Sequence, residues 1–88
     1  MHTVAVILLP DVTVFDLATP IEVFGRARLP GGRPAYQVAV CGAEPVVDAG
    51  PLKLSAMAGL EGLSRADTIL VPGRGNADAP APPAVLAA

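Results

Sequence analysis

Histidine, cysteine and aromatic side chains are scarce in these 88 residues: one His, one Cys, no Trp, one Tyr and two Phe. With His2 and Cys41 the only residues of their kinds, no zinc ligand set is available, and a lone thiol closes no internal disulfide. No metal is expected, and a reducing, cytoplasmic compartment is. Charge is sparse too. Charged residues make up 16% of the chain and sum to −2, so the basic surface that nucleic-acid binding needs is missing. The N-terminus carries neither a basic leader nor a small-residue cleavage site, and the apolar runs are too interrupted for a membrane span, so neither export nor a membrane partner is expected. An apolar content of 52% argues equally against disorder.

What the chain does have is glycine and proline, 9 and 10 residues respectively, and an interior built of Ala, Val and Leu. Val4–Leu9 is an unbroken apolar run rich in β-branched residues that stops at Pro10-Asp11, the signature of a strand buried on both faces of a parallel sheet. Thr19-Pro20 with Glu22 reads as an N-cap, a first-turn proline and a capping box, which predicts a helix from Pro20 to Arg28. Arg26, Arg28 and Arg33 then surround its end as a solvated cationic cluster. After the breaker cluster Leu29–Pro34, residues Ala35–Cys41 read as a second strand, completing a β-α-β unit. Val46–Asp48 and Leu52–Ser55 flank Ala49-Gly50-Pro51 as a small hairpin, Ala58–Ala66 supplies one or two helical turns, and Thr68–Val71 reads as a third buried strand. Pro72–Asn76 is a loop, Ala77–Pro83 is irregular, and a further helix is expected near Pro83.

This pattern predicts an α/β fold, an incomplete parallel sheet with flanking helices, in which residues 1–88 are part of one domain. A strand at Thr68–Val71 would leave an open edge if nothing followed it, so a longer domain is expected.

Three residues stand at the carboxyl ends of predicted strands, where open α/β sheets bind ligands. Asp16 either interacts with the amides of a helix start or, held among Leu, Phe and Val, serves as a proton carrier. Gly73 and Gly75 either make a tight turn or bring backbone amides to an anion. A dinucleotide fingerprint is not completed: Asp78 stands where it wants Gly or Ala, and the connection Pro10–Thr19 has no glycine, so no cofactor is expected. Cys41 has no basic neighbour in sequence and reads as a buried structural thiol, and His2 as solvated.

Leu9-Pro10-Asp11-Val12-Thr13-Val14-Phe15-Asp16-Leu17-Ala18-Thr19-Pro20-Ile21-Glu22-Val23-Phe24, with Ile69-Leu70-Val71-Pro72-Gly73 downstream, resembles the N-terminal part of the PfpI/ThiJ family, which implies an incomplete flavodoxin-like, class I glutamine amidotransferase-like parallel sheet with flanking helices. The resemblance covers essentially the whole chain. Its D-L-x-x-P-x-E-V pattern is similar to two branches, the isocyanide hydratases and the sensor domains of GlxA-type transcription regulators of the AraC class. It implies that Asp16 matches the acidic residue beside the reactive cysteine of the hydratases, and Gly73 the glycine of the loop lining that pocket. Arg74 departs from the second glycine common there. The family's nucleophile would lie beyond Ala88, on an elbow that Cys41 does not match, so the chain as given is expected to hold no catalytic residue. The resemblance favours a catalytically inactive sensor and dimerisation domain of a regulator, with a small-molecule ligand, a homo-oligomeric full-length protein and DNA bound only by a separate C-terminal domain. The alternative is part of an isocyanide hydratase in which Asp16 assists a downstream cysteine.

Overall fold

The computed structural model describes residues 1–75; the loop position Asn76, the irregular stretch Ala77–Pro83 and the helix expected near Pro83 lie outside them. Five strands, one α-helix and one 3₁₀ helix follow in the order β1 (His2–Leu8), α1 (Val14–Arg26), β2 (Tyr36–Gly42), β3 (Val46–Ala49), β4 (Leu52–Ser55), the 3₁₀ helix (Leu60–Arg65) and β5 (Thr68–Leu70). β1, β2 and β5 form a parallel sheet in the order β2-β1-β5, and β3 pairs with β4 in a separate antiparallel hairpin. The architecture is α/β with a small parallel sheet. No helix among the described residues is long and apolar enough to cross a membrane.

β1 is central because every one of its neighbours needs it. Residues Val4 to Leu9 are all buried, and the pleat sends alternate side chains to opposite layers. Val4, Val6 and Leu8 join Leu17 of α1 and Val47 and Ala49 of the hairpin, while Ala5, Ile7 and Leu9 join Cys41 and Leu63 of the 3₁₀ helix. Register completes the layers, with Val4 opposite Val38, Val6 opposite Val40 and Ile7 opposite Cys41 on β2. On the other edge, Val4 faces Thr68 and Val6 faces Leu70. The start of β5 is pinned by Asp67, whose N–H donates to Thr3 O at 2.9 Å and whose Oδ2 accepts from Thr3 N at 2.8 Å.

Helix α1 starts six residues before the expected Pro20. The reason is its apolar face: Val14, Leu17, Ile21 and Phe24 recur at helical spacing and all pack on the β1 layer, so burial favours extending the helix back to Val14. Thr13 is the N-cap residue, although its side chain makes no capping bond, and its carbonyl accepts from Asp16 N and Leu17 N. Pro20 is therefore interior and leaves the Asp16 carbonyl without its helical donor. Thr19, expected as the cap, instead donates its hydroxyl to Phe15 O at 2.7 Å. Glu22 pairs with Arg26 on the exposed surface, not with a cap. Arg28 donates to Gly25 O and Ala27 O and so satisfies carbonyls at the helix end.

The turns follow local chemistry. Gly50 has φ of +59° at the first central position of the two-residue β3–β4 turn, with Pro51 second, the arrangement of a type II′ hairpin. Asp48 and Lys53 stand opposite each other on that hairpin and form an exposed ion pair. The second strand and the hairpin fall where the sequence puts them, and the helical turns of 58–66 condense to one 3₁₀ helix. The third strand differs from its expectation as a buried strand: Ile69 is 46% exposed and Val71, just past the strand, 66% exposed, because β5 has β1 on one side and no described strand on the other.

Cys41 closes the second layer. Its sulfur is buried under the 3₁₀ helix, and a Cβ at Gly62 would come within 2.8 Å of it. Burial pushes the Cys41 thiol up, and the nearby Glu61 carboxylate adds to the effect. A thiol whose pKa is raised by folding favours the folded state below its ordinary range, at pH of roughly 8.5, and loses that contribution as pH rises through the folded value. The urea midpoint is therefore expected to fall between neutral pH and the alkaline side of that range in the native chain, and to fall less in Cys41→Ala; equal slopes in the two proteins would contradict this.

Candidate functional site

The sheet order reverses at β1: the chain leaves β1 toward β2 on one side and returns to β5 on the other. Such a switch point opens a crevice at the carboxyl ends of the diverging strands, and the segments following β1 and β5 meet there. Thr13 N donates to Gly73 O at 2.9 Å, Gly75 N donates to Asp11 O at 2.8 Å, and Val12 and Arg74 form an isolated antiparallel bridge between them. Asp11 makes the reversal possible with φ of +63°, a left-handed conformation that Asp tolerates better than most residues.

This clamp sets two carboxylates against two glycines. A Cβ at Gly73 would collide with Oδ2 of Asp16, and one at Gly75 would lie 2.8 Å from both carboxylate oxygens of Asp11. The glycines leave room for this close approach, and the sequence-selected residues Asp16 and Gly73 adjoin although the entire β2–β5 segment separates them in the chain. Gly75 neighbours Asp11 instead, and its amide is spent on the Asp11 carbonyl, so it is not available to an anion. Two carboxylates beside the loop disfavour an anion further.

Asp16 sits in the first turn of α1 and is exposed, not enclosed by Leu17 and Phe15 as the proton-carrier reading required; Phe15 is itself 77% exposed. Among the described residues no hydrogen bond or ion pair engages the Asp16 carboxylate. It opens on a groove of about 530 Å³ between α1 and β5. Phe15, Thr19, Pro20 and Val23 form the helical wall, and Val71 and Pro72 lead to Gly73 on the other side. That volume is in the range of small-molecule sites, and the lining is apolar apart from Asp16 and Thr19.

Cys41 is not part of this groove, being buried in the layer under the 3₁₀ helix. Glu22, engaged with Arg26, does not line it either. His2 is exposed at the start of β1, with Nε2 2.7 Å from Thr68 Oγ1 and its ring edge-on to Tyr36. No group of three or more His, Cys, Asp or Glu side chains among the described residues could hold a metal ion. Asp11 and Thr13 are the residues that sequence reasoning passed over. A signal for both was present: Thr13-x-x-Asp16 has the spacing of a helix start, and Asp11 follows a proline at a strand end.

No protein-family model matches the chain, and no curated protein matches it.

Gly73→Ala is expected to displace the Asp16 carboxylate at little cost in stability, below about 1 kcal/mol, because the end of a flexible side chain can rotate away. Gly42→Ala, whose Cβ would meet the backbone oxygens of Leu8 and Glu44 at 3.2 Å, is expected to cost more. Urea midpoints and the carboxyl ¹³C shift of Asp16 read the two effects; an unchanged Asp16 shift in Gly73→Ala would contradict the assigned contact.

Proposed function

We propose that this chain is the sensor part of a transcription regulator of the GlxA-like AraC type, binding a small molecule without transforming it. DNA recognition is assigned to a separate helix-turn-helix domain, and oligomerisation to the full-length protein. The observation that carries the reading is the meeting of Asp16 and Gly73 at the mouth of an apolar groove, at the carboxyl end of a parallel sheet. The resemblance to the PfpI/ThiJ family falls on those same residues and supports the reading by analogy of sequence pattern.

Catalysis within these 88 residues would need a nucleophile, and Cys41 is a poor one: it is buried, its thiol is pushed up, and it lies away from Asp16. The hydratase alternative draws on one observation, the exposed Asp16 carboxylate that no described group engages. In that reading it works with a cysteine supplied from outside this sequence.

A thermal-shift screen of small metabolites on the 88-residue chain, run beside an assay for conversion of an aryl isocyanide to its formamide, tests the sensor reading. The sensor reading expects compounds that raise Tm, by up to about 2.7 kcal/mol of added stability at a hundredfold excess over Kd, with the effect reduced in Asp16→Asn and with no formamide produced. Formamide produced by the chain would contradict it, as would a screen in which no compound shifts Tm.

A further inference from the structure

We infer that the groove between α1 and β5 selects a primary ammonium carrying an apolar body, with Asp16 as its counter-ion. The inference rests on the reading of this groove as a ligand site and adds the chemistry of the ligand. Its starting point is the donor and acceptor inventory of the lining side chains. Among the described residues no Lys, Arg, His, Asn, Gln, Ser, Tyr or Trp lines the groove, and Asp16 and Thr19 are the polar side chains there. The carboxylate accepts only, and the Thr19 hydroxyl proton is already given to Phe15 O, which leaves its oxygen as an acceptor toward the groove.

The helix backbone adds a third acceptor. Pro20 has no N–H, so the Asp16 carbonyl four residues earlier lacks the donor that every regular helical carbonyl has. Asp16, Thr19 and Pro20 fall on one face of α1 by their spacing of three and four residues, and all line the groove. Acceptors on one helix face, with no donor side chain among the described lining residues, favour the N–H donors of an alkylammonium. The open edge of β5 offers backbone groups of both kinds and does not discriminate. Around this polar spot the exposed Phe15, Val23 and Val71 supply apolar surface for the rest of the molecule, and Phe15 also offers an aromatic face to a cation. An anionic ligand would meet Asp16 with no cation among the described lining residues to offset it.

The test titrates the ¹⁵N-labelled 88-residue chain with 2-phenylethylammonium, with 2-phenylethanol as the uncharged analogue and with 3-phenylpropionate as the anion. The ammonium is expected to bind about tenfold or more tightly than the alcohol, the strength of one charge-assisted contact, and to shift the amides of Thr19, Val23 and Gly73. The anion is expected to leave those amides unmoved. Asp16→Asn should bring the ammonium down to the affinity of the alcohol. Pro20→Ala provides a second variant whose fold is not at risk: restoring the helical donor should raise Tm and yet weaken the ammonium several-fold, a combination that a purely structural role for Pro20 does not produce. If the alcohol binds the same amides as tightly as the ammonium, or Asp16→Asn binds it unchanged, the ammonium inference is overturned while the groove stands as a ligand site. If none of the three probes moves the groove amides, the inference and the ligand-site reading fall together.

Discussion

Everything in this chain hangs on β1 being satisfied in four directions. Its two edges hydrogen-bond to β2 and β5, and its two faces are covered, one by α1 and the hairpin, the other by the 3₁₀ helix. A strand so enclosed finds partners for its backbone groups on both edges over Val4 to Val6 and buries both faces, which is why six consecutive apolar residues from Val4 to Leu9 are tolerated. The two faces are filled differently. Val and Leu side chains of the sheet meet α1, whereas Ala5, Ala39, Ala58 and Ala66 let the 3₁₀ helix come close enough for Gly62 to touch the Cys41 sulfur. Because the chain leaves β1 in one direction and comes back beside it from the other, the same strand also decides where the crevice opens.

The site is a product of that topology together with two absent Cβ atoms. Gly73 and Gly75 allow the segment after β5 to lie against the segment after β1, and the backbone bonds Thr13–Gly73 and Gly75–Asp11 hold the two together. The arrangement keeps both carboxylates at the surface, where neither pays the desolvation that burial would impose. Asp16 is then set at the end of an apolar groove by an element whose own placement is fixed by Leu17 in the core. A carboxylate there also stands in the first turn of α1, where the helix dipole favours it.

Much of the scaffold was legible in the residues. The unbroken run Val4–Leu9 announced a strand covered on both faces, Gly50-Pro51 announced a hairpin turn, and Asp16 and Gly73 were both assigned to the carboxyl ends of strands. The helix start was less legible because two local signals compete. Thr19-Pro20-x-Glu22 carries every mark of a cap, and Thr13-x-x-Asp16 carries fewer; what decided between them was the burial of Val14 and Leu17, a tertiary effect that local rules do not contain. The exposure of β5 is of the same kind, since Thr68–Val71 has the composition of a central strand and only the order of the described strands makes it an edge. The contact of Gly75 with Asp11 was out of reach of sequence reasoning, because it depends on the left-handed turn at Asp11 and on a register between two irregular segments.

The central claim is that the sheet order β2-β1-β5 brings the segments after β1 and β5 together and so builds the site. The most direct measurement is the scalar coupling across hydrogen bonds in the ¹⁵N,¹³C-labelled 88-residue chain, which reports individual donor and acceptor pairs. The account predicts couplings from Thr13 N to the Gly73 carbonyl and from Gly75 N to the Asp11 carbonyl, beside those of the β1–β2 and β1–β5 ladders. Ladder couplings without the Thr13–Gly73 and Gly75–Asp11 pair would contradict it.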